Sequence, residues 1–194
     1  MAEGTKIQFI PQVVFKLREL GEWKETLTQN LFQNKKVLVF ALPGAFTPTC
    51  SNQQLPGYES LAEEFYKLGV DEIYCLSVND AFVMNAWAED QKLKNVKVLP
   101  DGSAIWTTYM GMDVKKDNLG FGVRSWRYAM LVNDMNIHEM FVEEGLKDNA
   151  SEDPYNVSSP DHVLKWLKEN GWGRNIEISL QDGAGVEEKL GPKK

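Results

Sequence analysis

Between Lys35 and Trp87 the chain switches repeatedly between unbroken apolar runs and apolar residues at helical spacing. Val37 to Leu42 is continuously apolar and bounded by Lys35-Lys36 and Pro43-Gly44, which is how a strand buried on both faces of a parallel sheet reads. Tyr58, Leu61, Ala62, Phe65 and Leu68 then recur at helical spacing, and Gly69 supplies a stop. Glu72 to Val78 predicts a second strand. Asn79-Asp80 follows as a cap for a helix carrying Phe82, Val83, Ala86 and Trp87 on one face. Strand, helix, strand, helix is the order of a parallel α/β sheet.

The rest of the pattern extends this sheet. Val96 to Leu99 reads as a short strand closed by Pro100-Asp101-Gly102, and Ile105 to Tyr109 as a short helix. Gly111 to Gly122 is polar and glycine-bearing, a loop in this reading. Trp126 to Val132 and Ile137 to Val142 predict an antiparallel hairpin turning at Asn133-Asp134. Residues 143 to 157 are acidic and irregular; Ser159-Pro160 starts a last helix that Asn170-Gly171 ends. Ahead of the sheet, Phe9, Val13, Phe15 and Trp23 are scattered apolar anchors for one or two short strands covering its edge or end. The expected class is α/β with thioredoxin-like topology, a central mixed sheet flanked by helices. Residues 1–171 form that domain, and 172–194, with little periodicity and the ending GPKK, are expected to be a loose extension.

Composition narrows the function classes. The chain has 194 residues, enough for one domain with a sizeable core, and a net charge of −7. The negative balance and the lack of a basic run argue against a nucleic-acid partner. The longest apolar run is too short to span a bilayer, and MAEGTKIQF has no hydrophobic segment of the secretory kind. A cytoplasmic protein is expected, with the sequons at Asn149 and Asn156 as chance matches. Two cysteines, without a Cys-x-x-Cys, make neither a disulfide framework nor a metal site.

The chemistry concentrates just after the first buried strand, in Thr47-Pro48-Thr49-Cys50. Thr47 suits an N-cap, its hydroxyl accepting from free backbone N–H groups, and Pro48 suits the first helical position. Cys50 then lies in the first turn, near unpaired N–H groups and the positive end of the dipole, where a thiolate is favoured over a thiol. Pro56 has no N–H to donate and should kink or interrupt the helix begun at Pro48.

PGAFTPTC resembles the active-site motif of the peroxiredoxins, Pro-x-x-x-Thr-x-x-Cys, in the form typical of the type II or type 5 branch. YCLSVNDAFVMNAW, GVRSWRYAMLV and VSSPDHVLKWL resemble the same branch, so the likeness runs over roughly residues 5 to 170. It is close to the peroxiredoxin half of bacterial peroxiredoxin–glutaredoxin fusions and to plant type II enzymes. The resemblance implies a thiol peroxidase acting on hydrogen peroxide and alkyl hydroperoxides, with no metal or organic cofactor. Cys50 would be the nucleophile, becoming a sulfenic acid. Thr47 would cap the helix and hydrogen-bond thiolate and peroxide, Pro43 would shield the site, and the Gly44 N–H would help hold the peroxide. For Gly44, turn geometry is an equal explanation. Arg127, in SWRYAML, matches the family arginine that favours the thiolate and binds a peroxide oxygen. Arg124 is its rival three residues away; strand alternation would let only one face the site, leaving Arg124 to a salt bridge or subunit contact.

Cys75 sits in the apolar strand Ile73-Tyr74-Cys75-Leu76, where a buried structural cysteine is the usual state. Related animal enzymes carry a resolving cysteine near the last helix, but YNVSSPD has none. A one-cysteine cycle is therefore expected, with the sulfenic acid resolved by glutathione with glutaredoxin, or by thioredoxin. The resemblance also implies a homodimer joined through loops near the site. His138 and His162 are expected in surface or packing roles. A dithiol oxidoreductase would need a cysteine where Thr47 stands. A peroxide sensor or chaperone-like redox protein would use the same thiolate without turnover.

Overall fold

The structure, a computed structural model, describes residues 9–172. It opens with a hairpin of β1 (Val14–Glu19) and β2 (Glu22–Leu27), a separate two-stranded sheet. Its turn places Leu20 and Gly21 at φ of 50° and 84°, the left-handed pair that matches strand twist. Of the expected anchors only Phe15 is fully buried, 5.5 Å from the Trp106 ring; Phe9 and Trp23 are exposed. A short helix α1 (Thr28–Phe32), which the apolar pattern did not predict, follows and buries Phe32 against Trp106 and Tyr74.

The main sheet starts with β3 (Lys36–Leu42), buried from Val37 onward as its sequence requires. The chain then enters α2 (Leu55–Lys67), β4 (Glu72–Ser77), α3 (Ala81–Asp90) and β5 (Lys97–Pro100). Asp80 caps α3 by accepting from the Phe82 and Val83 N–H groups at 2.8 and 3.0 Å. After α4 (Ile105–Tyr109), the expected loop 111–122 contains a strand instead: β6 (Asp113–Lys115) pairs with β7 (Val123–Ser125). A polar strand three residues long leaves too little periodicity to read.

β8 (Tyr128–Asn133) and β9 (Asn136–Val142) form the expected hairpin, but Asp134 and Met135, both at positive φ, make its turn, one residue later than Asn133-Asp134. The strand order is β5-β4-β3-β8-β9, with β3, β4 and β5 parallel and β8 and β9 antiparallel, so the sheet is mixed. Leu38, Phe40, Leu42, Ile73 and Cys75 face α2, α3 and α5 (Pro160–Asn170). Val37, Val39, Ala41, Tyr74 and Leu76 face α1, α4 and β1. This is the expected thioredoxin-like arrangement.

α5 begins where Ser159 and Pro160 predict, with the Ser159 hydroxyl accepting from the His162 N–H, and buries Val163, Leu164 and Leu167. Each such side chain stabilises the fold by roughly 1.5–3 kcal/mol. Trp172, assigned from sequence to the loose extension, is docked: its indole N–H donates to the Leu68 carbonyl at 2.9 Å, and its ring lies against His138 and Lys36. The rest of that extension, 173–194, lies outside the described residues, as does 1–8.

Candidate active site

β3 delivers the chain into Pro43–Phe46, a turn in which Phe46 takes a left-handed φ of 61°. That conformation costs a non-glycine residue roughly 1–2 kcal/mol and must be held by its surroundings. Asn79, just past β4, does much of the holding. Its side-chain oxygen accepts from the Ala45 N–H at 3.0 Å and the Ser77 hydroxyl at 2.7 Å. The loops after two neighbouring parallel strands are thereby tied together.

Thr47 precedes the first helical turn, and the Ser51 N–H donates to its carbonyl at 2.9 Å, as an N-cap position requires. Its hydroxyl does not cap, however. It donates back to the Gly44 carbonyl at 2.8 Å. Gly44 is not left-handed, so turn geometry does not explain the glycine. A Cβ there would lie 2.7 Å from Arg124 Nη1, the mobile end of that side chain.

Cys50 opens a π turn, Cys50–Gln54, in which the Leu55 N–H reaches back to the Cys50 carbonyl. Pro56 is the physical reason. It cannot donate to the Asn52 carbonyl and its ring needs room there, so the preceding turn widens while the helix continues. The expected kink is thus a change of helix type. Cys50 is fully buried, as is Gln54 four residues on. Beneath the turn, the Trp87 indole N–H donates to the Ser51 hydroxyl at 3.0 Å.

Arg127 reaches this turn from the segment between β7 and β8. It is 1% exposed, and its Nη1 donates to Cys50 Sγ at 3.5 Å and to Gln54 Oε1 in a very short bond. Its Nη2 donates to Asp153 Oδ1 at 2.5 Å, and its guanidinium lies 5.7 Å from the Tyr155 ring. Burial works against the charge, but Cys50 and Asp153 outweigh it and hold the guanidinium's pKa above its ordinary value. Among the described residues Arg127 Nε and Gln54 Nε2 are buried without a protein partner.

Arg124 corrects the sequence reading. It lies on β7, outside the strand that follows Arg127, so strand alternation does not separate the two arginines. Its Nη1 donates to the Pro43 carbonyl at 3.3 Å and sits 3.5 Å from Asn79 Oδ1, while Nε donates to the Phe121 carbonyl at 3.1 Å. Burial lowers its pKa, and the nearby Cys50 partly offsets this. Both arginines therefore border the Pro43–Cys50 segment, one on the sulfur and one on the loop.

The acidic stretch 143–157 is organised by Glu143, which is 3% exposed. One carboxylate oxygen accepts from the Asn156 N–H at 2.7 Å and from the Ser158 N–H and hydroxyl at 2.8 and 2.7 Å. The Ser158 carbonyl in turn accepts from the Tyr58 hydroxyl at 2.7 Å. This anchoring sets Asp153 and Tyr155 over Arg127. Sequence reasoning missed Gln54, Asn79, Asp153 and Glu143. Helical spacing from Cys50 could have found Gln54; nothing local marks the others.

Cys75 faces the same core as Cys50, beside Phe40 on the neighbouring strand. Burial pushes its thiol pKa well up, and Cys50 adds to the rise. His138 packs against Trp166 and Trp172, and His162 against Phe141, as packing residues would. Among the described residues no group of three His, Cys, Asp or Glu could hold a metal ion, and no helix is long and apolar enough to cross a membrane. A cavity of about 260 Å³ opens beside the site, lined by Pro43, Thr47, Pro48, Leu119, Phe121 and Asp153 among others. A larger one, about 580 Å³, lies between the β1–β2 hairpin and β5 and touches none of Pro43, Thr47 and Asp153.

Comparison with known proteins adds to this geometry. Residues 5–157 match the family model described as Redoxin. The chain is 55% identical over 168 residues to a peroxiredoxin of Rhizobium etli, covering 82% of this chain and 94% of the relative. It is 52% identical over 165 residues to the hybrid peroxiredoxin hyPrx5 of Haemophilus influenzae, covering 85% of this chain and 66% of the relative. Among solved structures, reduced Prx3 of Vibrio vulnificus in complex with hydrogen peroxide is 36% identical, with a TM-score of 0.75 over 88% of this chain and 98% of that one.

Proposed function

From the premise that the chain belongs to the Redoxin family, and within it to the peroxiredoxins, we propose that it reduces hydrogen peroxide and alkyl hydroperoxides at Cys50 and returns to the thiol through an external thiol. The observation that carries the reading is Arg127 Nη1 at 3.5 Å from a buried cysteine sulfur in the first turn of a helix. The V. vulnificus neighbour bound to hydrogen peroxide supports the substrate class.

The Cys50 thiolate attacks one peroxide oxygen, the O–O bond breaks, and the sulfur becomes a sulfenic acid. The departing alkoxide or hydroxide takes up a proton and leaves as alcohol or water. Arg127 binds the peroxide and stabilises the charge that develops on the leaving oxygen. Thr47, held by the Gly44 carbonyl, presents its hydroxyl oxygen to the peroxide, Pro43 screens the sulfur from bulk water, and the Gly44 N–H donates to the bound peroxide. A thiolate from glutathione, delivered with glutaredoxin, or from thioredoxin then attacks the sulfenic sulfur and expels water. A second thiol reduces the mixed disulfide. Cys75 takes no part, because its burial and raised pKa disfavour the thiolate such a step needs. The cycle needs no metal or organic cofactor. A homodimer in the cytoplasm completes the reading.

Peroxide consumption by wild type, Cys50→Ser and Cys75→Ser, under glutathione–glutaredoxin and under thioredoxin, tests it. Turnover in wild type and Cys75→Ser, none in Cys50→Ser, is expected, and the faster system names the reductant. Full activity in Cys50→Ser sinks the proposal; a single equivalent of peroxide consumed makes the protein a sensor.

A further inference from the structure

Asp153 stands out because it is the charged partner of the residue on which the chemistry depends, yet it belongs to the surface. Its carboxylate bonds Arg127 Nη2 at 2.5 Å while its side chain is 44% exposed and lines the 260 Å³ cavity beside Thr47. Arg127 is 1% exposed; its Nη1 is taken by Cys50 and Gln54, and one face of its guanidinium plane lies 5.7 Å from the Tyr155 ring. The Nη2 edge, where a bidentate anion would dock, is filled by Asp153. Glu152 lines the same opening. The cation of that lining, Lys116, is 3% exposed and holds its ammonium 5.5 Å from the Trp126 ring. A molecule in this cavity therefore meets two carboxylates, one of them already paired with Arg127.

We infer that Asp153 is a specificity-determining residue that makes Cys50 discriminate against anionic hydroperoxides in favour of uncharged ones. This rests on the peroxidase reading above. The guanidinium still places Nη1 at the sulfur, where an uncharged O–O group can use it as a hydrogen-bond donor. A substrate carrying its own negative charge is repelled by Asp153 and cannot displace it without leaving that carboxylate unpaired. The mechanism does not require an ion pair at Nη2 to move electrons or protons; it sets which peroxides arrive.

The test measures oxidation of the Cys50 thiol in a single turnover without reductant, so that the reductant does not enter the rate. Two probes of similar size are compared at neutral pH: tert-butyl hydroperoxide, and a tertiary alkyl hydroperoxide ending in a carboxylate. Asp153→Asn should raise the ratio of anionic to neutral rate constants roughly threefold to tenfold at low ionic strength, the scale of one charge acting over several ångströms. Salt at about 0.15 M should narrow that gain. Glu64→Gln, which removes the same unit of charge from a half-exposed position on α2, should leave the ratio unchanged. An unmoved ratio in Asp153→Asn, an equal slowing of both probes, or an equal gain in Glu64→Gln overturns the inference. If wild-type Cys50 reacts with neither peroxide, the peroxidase reading itself falls, and this with it.

Discussion

Arg127 Nη1 lies 3.5 Å from Cys50 Sγ, across 77 positions of chain, and both residues are buried. The guanidinium's fork holds Cys50 and Gln54 with one nitrogen and Asp153 with the other, an arrangement that a single ammonium cannot reproduce. Arg127→Lys should therefore lower the rate constant for hydrogen peroxide by about 10²–10³-fold, the scale on which a lost transition-state donor is felt. Stopped-flow oxidation of the reduced enzyme measures this; a loss of less than about twofold would mean that Arg127 does not act on the reacting atoms.

Cys75 separates stability from chemistry. It is fully buried between Phe40 and the α2 side of the core. Cys75→Ser buries a hydroxyl in place of a thiol and should cost about 1–3 kcal/mol, read by chemical denaturation. Turnover per folded molecule should stay near wild type. A selective loss of turnover, with stability intact, would make Cys75 a resolving thiol.

Gly44 and Arg124 should act as one unit. Gly44→Ala places a Cβ 2.7 Å from Arg124 Nη1, which can swing away but then leaves the Pro43 carbonyl. Stability should change by less than about 1 kcal/mol, while kcat/KM falls about threefold to tenfold, the worth of one positioning hydrogen bond. Arg124→Ala should show a similar loss, and the double variant little more than either single one. Additive losses would show that the two residues act separately.

Asp101 should make stability depend on mildly acid pH. It is 6% exposed, and burial raises its pKa above 3.8 despite bonds from the Thr107 hydroxyl and the Thr107 and Trp106 N–H groups. A carboxyl whose folded pKa exceeds its unfolded one binds its proton more tightly when folded. Its contribution is fully present below the unfolded value and is lost as pH rises through the folded value. Asp101→Asn should flatten that part of the stability profile, measured by denaturation between about pH 3 and pH 6. A slope unchanged by the substitution would assign it to another group.

The local architecture of the site was legible in the residues themselves. An unbroken apolar run makes β3 a buried strand, Pro43-Gly44 ends it, and Thr47-Pro48 starts the helix that carries Cys50. Caps, periodicities and turns act over a few positions, so Asp80 and Ser159 could be read as caps without knowing the fold. What surrounds the sulfur was decided elsewhere. Two arginines border the site because β7 and β8 are separate strands, which the spacing of Arg124 and Arg127 could not reveal. The Thr47 hydroxyl turns to Gly44, Asn79 grips the Ala45 N–H, and Asp153 lands on Arg127 because Glu143 holds the loop behind it. Apart from Thr47's, these bonds join residues 15 to 34 positions apart. Their geometry depends on strand order and on how irregular segments pack, and no pattern of neighbouring residues encodes that.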